Sequence, residues 1–177
     1  MDLISVLIVS FFAISLLGTL LHFTHGWIKN GVLLHVFSAV NESTWEHMKL
    51  LIAPTILIVI FQSFYLDTMY LNIFNSLLIL LIVELITIPL LFEPLRIIFK
   101  KVPLYITILI FYISIILGLF AEYFVIQSEI MFVSEWLAVI LILLIVAIFS
   151  ITTYHPPKFF LFRDPQTGKY GDTIEHV

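Results

Sequence analysis

A chain of 177 residues with 62% hydrophobic and only 11% charged side chains reads as one polytopic helical membrane domain, and its mean hydropathy of +1.16 lies far outside the soluble range. The net charge of -4 is small and no basic run suggests a nucleic-acid partner. The absence of cysteine excludes disulfides, thiolate ligands and a cysteine nucleophile.

A spanning helix needs about 20 mostly apolar residues. Five segments qualify, at 3–24, 43–66, 70–92, 103–126 and 130–154. The first lacks a basic flank before it and a small-residue cleavage pattern after it, so it is expected to stay as a helix. Between the first and second spans, residues 31–40 (GVLLHVFSAV) are too few to cross. They predict an interfacial or re-entrant element, entered through a turn at Asn30-Gly31. Pro54 and Pro89 are expected to bend the second and third spans. Pro156-Pro157 ends the fifth. The domain expectation is therefore a transmembrane helical domain over 1–157 and a C-terminal tail over 158–177, with a part-ordered cap and a loose end. No internal repeat is evident.

Lys29, Lys49, Arg96, Lys100, Lys101, Lys158, Arg163 and Lys169 all fall on one side of a five-span topology, while Asp2, Asp67, Glu122 and Glu129 fall on the other. The positive-inside rule then places the N-terminus outside and the tail in the cytoplasm of a bacterial plasma membrane.

That topology gathers the unusual side chains at one membrane level. Asn41-Glu-Ser-Thr-Trp-Glu-His47 packs two carboxylates, an imidazole, two hydroxyls and an amide into seven residues at the start of the second span. Burying such groups costs several kcal/mol unless they are paired, protonated or liganded. His22 and His25 end the first span, His35 lies in the short element, and His155 closes the fifth. Glu84 sits inside the third span, deep among apolar residues. Glu42 and Glu46 share one helical face, and Ser43 and His47 the adjoining one. Imidazole with carboxylate is a ligand set for zinc, iron or manganese. Zinc is the first expectation, with His47, His22, His25, His155 and Glu84 as candidate ligands. Glu46, Glu42 and Ser43 are the candidate catalytic groups, and Asn41 and His35 complete the pocket.

Simpler readings stand beside these. Asn41 suits a helix N-cap, Glu42 the positive end of a helix, and Glu46 a pair with Lys49 three residues on. Trp27 and Trp45 suit a headgroup belt. Glu122 and Glu135 are expected to be solvated near the outer face.

Two stretches, Val40-Asn-Glu-Ser-Thr-Trp-Glu-His-Met-Lys49 and Pro156-Pro-Lys followed by Leu-Phe-Arg-Asp-Pro-Gln-Thr-Gly-Lys-Tyr-Gly171, resemble a family of small multi-spanning bacterial membrane proteins of unknown function. The segment Glu42-Ser-Thr-Trp-Glu-His47 is also similar to the opening motif of the adiponectin-receptor and alkaline-ceramidase superfamily of intramembrane zinc hydrolases. That second resemblance implies a metal-ligand role for His47, with Glu42 and Ser43 close by. The chain departs from it in having five spans rather than seven and no His-x-x-x-His pair in its last span, so His155 and the His22/His25 pair would have to substitute.

Three functions follow as expectations. The first is metal-assisted hydrolysis of an amphiphilic or lipid-like substrate at a cytoplasm-facing His/Glu pocket. The second is a proton- or cation-coupled transporter subunit, with Glu84 beside Pro89 and residues 31–40 as a gate. The third is a non-catalytic membrane partner whose polar knot locks the helices together.

Overall fold

The computed structural model describes residues 1–28, 32–66, 70–99 and 102–171, apart from the side chains of 25–26 and 32–34. The Asn30-Gly31 turn, Lys29, Asp67, Lys100, Lys101, the last residues of the tail and the side chain of His25 lie outside what is described.

Among the described residues the chain is all-helical. Its helices are α1 (Leu3–Trp27), α2 (Val32–Phe37), α3 (Thr44–Leu66), α4 (Ile73–Ile98), α5 (Leu104–Gln127) and α6 (Glu135–Tyr154). A single 3-10 turn, Phe160–Phe162, and an isolated antiparallel bridge between Arg163 and Tyr170 follow in the tail. All but α2 are long and apolar enough to cross a bilayer.

Two boundaries differ by more than one helical turn from those the sequence predicts. The third span continues past residue 92 to Ile98, because Glu93 and Arg96 pair one turn apart at 2.9 Å and Glu93 also accepts from Thr44 at 2.5 Å. The fifth begins at Glu135 rather than 130, because backbone groups of 130–133 are taken by two asparagines at the start of α4, its N-cap Asn72 and Asn75. Asn72 donates to the Val125 and Ile130 carbonyls, and Asn75 accepts from the Phe132 and Val133 N–H groups. Glu135 returns across the gap to accept from the N–H groups of Phe74 and Asn75 at the start of α4. It works as a cap for α4, more than the solvated charge the sequence suggests.

Helix α4 is the hub, packed on α3, α5 and α6. Over their most apolar stretches α3 and α4 are 56% and 61% buried, against 22% for α6. These two inner helices also carry nearly half of the buried polar side chains. At the other extreme, Asp2 caps α1 in the open. The Ser5 N–H bond at 2.7 Å holds its carboxyl below the usual carboxylate range.

Both prolines named from the sequence sit within continuous helices. Pro54 has no N–H to give to the Leu50 carbonyl. Gly18 of α1 lies against that carbonyl: a Cβ there would stand 3.2 Å from the oxygen and 2.7 Å from the Phe111 ring. The missing side chain lets α1 close on α3 where the proline has opened the backbone ladder.

Candidate functional site

The polar heptad folds as an elaborate helix start. Ser43, not Asn41, is the N-cap of α3: its hydroxyl accepts from the Glu46 N–H at 3.3 Å. Asn41 supports it from outside, accepting from the Ser43 N–H at 2.8 Å and donating to the Gly171 carbonyl of the tail at 2.7 Å. In an ordinary capping box the third-position Glu reaches back to the cap N–H. Here that N–H is already taken by Asn41, and Glu46 reaches further, to the Val40 N–H at 3.1 Å.

Glu46 has a second partner. Lys49, fully buried, places its ammonium 2.5 Å from the Glu46 carboxylate, 2.9 Å from the His35 carbonyl and 3.0 Å from the Thr153 hydroxyl. One cation thus ties α2, α3 and α6 together. Trp45 lies beside this knot, stacked between Phe149 of α6 at 4.1 Å and Phe162 of the tail at 4.4 Å. Its indole N–H donates to Thr152 at 2.9 Å. Trp45 is therefore a packing key between α3, α6 and the tail rather than a headgroup anchor; exposed Trp27 keeps the belt reading.

On the other side of α3 the remaining groups converge. His47 Nδ1 stands 2.9 Å from the Ser43 carbonyl. A carbonyl only accepts, so Nδ1 carries a hydrogen, and in the neutral imidazole the lone pair is left on Nε2. That Nε2 is 3.5 Å from one oxygen of Glu42, and His22 Nε2 is 4.0 Å from the other. The two imidazole rings are 5.5 Å apart. A cavity of about 220 Å³ opens over His22 and Glu42, walled by Ala39, Asn41 and the tail residues Asp164, Gln166 and Thr167. An apolar crevice of about 30 Å³ lies against His47 and Thr44, lined by Ile88, Phe92, Thr107, Ile110 and Phe111.

The tail wall of the cavity is built by Asp164, which the sequence reading did not single out. Its carboxylate accepts from the Gln166 N–H at 2.7 Å and from the Thr167 hydroxyl at 2.9 Å. The Asp-Pro and Thr-Gly turn signals marked the loop but not its position over His22.

Ligand atoms on a tetrahedral metal, at bonds of about 2.0–2.1 Å, stand roughly 3.3 Å apart. The His47–Glu42 separation is close to that value and the His22–Glu42 separation exceeds it. Among the described residues no three His, Asp or Glu side chains form a closed ligating group. His22, Glu42 and His47 approach one and need a side-chain rotation to complete it.

The other predicted site residues lie elsewhere. Glu84 accepts from Thr55 at 2.8 Å, eight residues along α3 from His47 and so roughly 12 Å deeper along the axis. His155 is exposed at the C-cap of α6. His35 contributes its carbonyl to Lys49. Ser43 and Asn41 are engaged in capping.

The match to known families covers residues 3–172, helices and tail together. The chain belongs to a family of unknown function, DUF6512. No curated protein and no solved structure matches it. Membership in DUF6512 brings no reaction with it, so any chemistry must be argued from the groups above.

Proposed function

We propose that His22, Glu42 and His47 hold a divalent metal, zinc before others, and that the pocket serves hydrolysis of a polar bond in an amphiphilic substrate. The observation that carries this reading is the meeting of two imidazole Nε2 edges on one carboxylate beside a cavity. Two histidines with a glutamate are a known catalytic zinc set. The metal would supply Lewis acidity and an activated water. Ser43 fixes the His47 tautomer through its carbonyl, as the outer partners of ligating histidines do. The polar cavity is lined by His22 and Glu42 and the apolar crevice by His47, which suits a substrate with a headgroup and a hydrocarbon part. Asn41, Gln166 and Thr167 offer the headgroup hydrogen bonds. Glu46, held by Lys49, is poorly placed to move a proton. With Glu42 a ligand, the base role falls to Asp164, the other carboxylate lining the cavity. Lys49, Arg96, Lys158, Arg163 and Lys169 lie at the tail-side end, which supports the cytoplasmic placement of the pocket in a bacterial plasma membrane.

The test is elemental analysis of purified protein after dialysis against zinc, manganese or iron at neutral pH. Wild type should retain stoichiometric metal, His47→Ala should lose it, and E46Q/K49M should keep it. Retention should weaken as pH falls, because an imidazole must be neutral to ligate. A well-folded wild type that takes up no stoichiometric metal would remove the hydrolase reading.

A further inference from the structure

The middle of the bundle holds a second polar system, separate from the pocket. Glu84 of α4 and Glu122 of α5 are both fully buried. Facing Glu122 are Gln62 of α3, whose amide donates to one carboxyl oxygen at 3.2 Å, and Ser10 of α1, which accepts from the same amide at 3.2 Å. Facing Glu84 are Thr55 of α3, which donates to one oxygen at 2.8 Å, and Gly118 of α5, where a Cβ would stand 2.9 Å from Glu84 Cγ. The ionisable group acting on Glu84 is Glu122 itself. Among the described residues no Lys, Arg or His pairs with either carboxyl.

Three oxygens in this system have no partner among the described residues: the second oxygen of Glu84, the second oxygen of Glu122, and the amide oxygen of Gln62. All three are acceptors, and unmet acceptors at this depth are costly. A proton answers the deficit at Glu122. It turns the orphan carboxyl oxygen into an O–H donor, and the orphan acceptor belongs to the amide that already binds the other oxygen. Acid and amide can then close a ring of two hydrogen bonds. At Glu84 a proton likewise removes an uncompensated charge.

Glu122 and Gln62 are contributed to the seam by the neighbouring α5 and α3. A structural lock between helices needs only neutral polar partners; two buried carboxyls with no cation beside them among the described residues suit a bound proton.

We propose that Glu84 and Glu122, with Gln62, form an intramembrane site that binds and exchanges protons. The site goes beyond the metal pocket and stands whether or not that pocket binds metal.

Infrared spectroscopy of the full chain in lipid tests it directly. At neutral pH the solvated carboxyls are ionised, so a carbonyl band of un-ionised acid reports buried ones. Wild type should show that band, it should shift in D2O, and it should disappear as pH is raised. E122Q and E84Q should each remove part of it. E46Q/K49M and D164N, which remove the other buried carboxyls, should leave the band unchanged, so the assignment holds even if one seam variant fails to fold. An absent band, or one that never exchanges with D2O, overturns the proposal. A band lost on adding sodium at constant pH also overturns it, because the seam then takes a metal cation instead.

Discussion

Lys49 offers the most direct measurement of what holds the tail-side end together. Its ammonium has no exposed surface and meets the Glu46 carboxylate at 2.5 Å, the His35 carbonyl at 2.9 Å and Thr153 at 3.0 Å. Lys49→Ala leaves Glu46 buried, with the Val40 N–H at 3.1 Å among its remaining contacts. Stranding one member of a buried pair costs about 3–5 kcal/mol. Replacing both members removes the stranded charge, and such swaps are often neutral or better. E46Q/K49M is therefore expected to recover most of the loss, to within about 1–2 kcal/mol of wild type, the residue being the bonds to His35 and Thr153. The assay is unfolding in mixed micelles under increasing SDS, followed by helical circular dichroism. A K49A protein as stable as wild type would refute the reasoning. So would a double variant no better than K49A, since the loss would then come from the side chain's packing and not from the orphaned charge.

Trp45→Ala removes both ring stacks and the Thr152 bond; a loss of about 3–5 kcal/mol is expected, with faster tryptic cleavage after Arg163 and Lys169 as the tail lifts. Gly118→Ala puts a methyl 2.6 Å from a Leu80 methyl carbon and 2.9 Å from Glu84 Cγ. Overpacking of about 1–3 kcal/mol should appear in the same SDS titration, and an unchanged midpoint would mean that α4 and α5 separate freely there. If the His22–Glu42–His47 pocket takes up the proposed metal, a chelator should strip it and leave the far-ultraviolet spectrum intact, because Lys49, Trp45 and Asn41 pin that end independently. For orientation, Leu71→Cys, 84% exposed at the end away from the tail, should react with an impermeant thiol reagent in intact cells. Gln166→Cys should react only after permeabilisation; the reverse pattern would invert the topology.

The five spans were legible because hydropathy is a local property, and each span is apolar over most of its length. Their ends were less so. Residues 130–134 read as helix until Asn72 and Asn75, almost 60 positions earlier, claim their backbone groups. The polar heptad was legible as a special place, but its division of labour was not. Glu46 and His47 are adjacent, and a helix turns adjacent residues about 100° apart. That rotation sends Glu46 to Lys49, α2 and α6, and His47 to His22 and the cavity. Only the packing of α1 and α6 on either side of α3 decides which residue is structural. The same limit applies to depth. Glu84 and His47 can be ranked along their own helices from the sequence, but their separation depends on how α3 and α4 are staggered. Thr55, which meets Glu84, reveals that stagger, and no periodicity marks it. Glu122 was misjudged as solvated for the converse reason: its position near a predicted helix end suggested water, while the partners that hold it inside, Gln62 and Ser10, come from two other helices. Polar side chains that answer one another across helices carry no local signature. In a chain this apolar, the orphan oxygens left after such pairing are the sharper guide to where a proton or a metal is required.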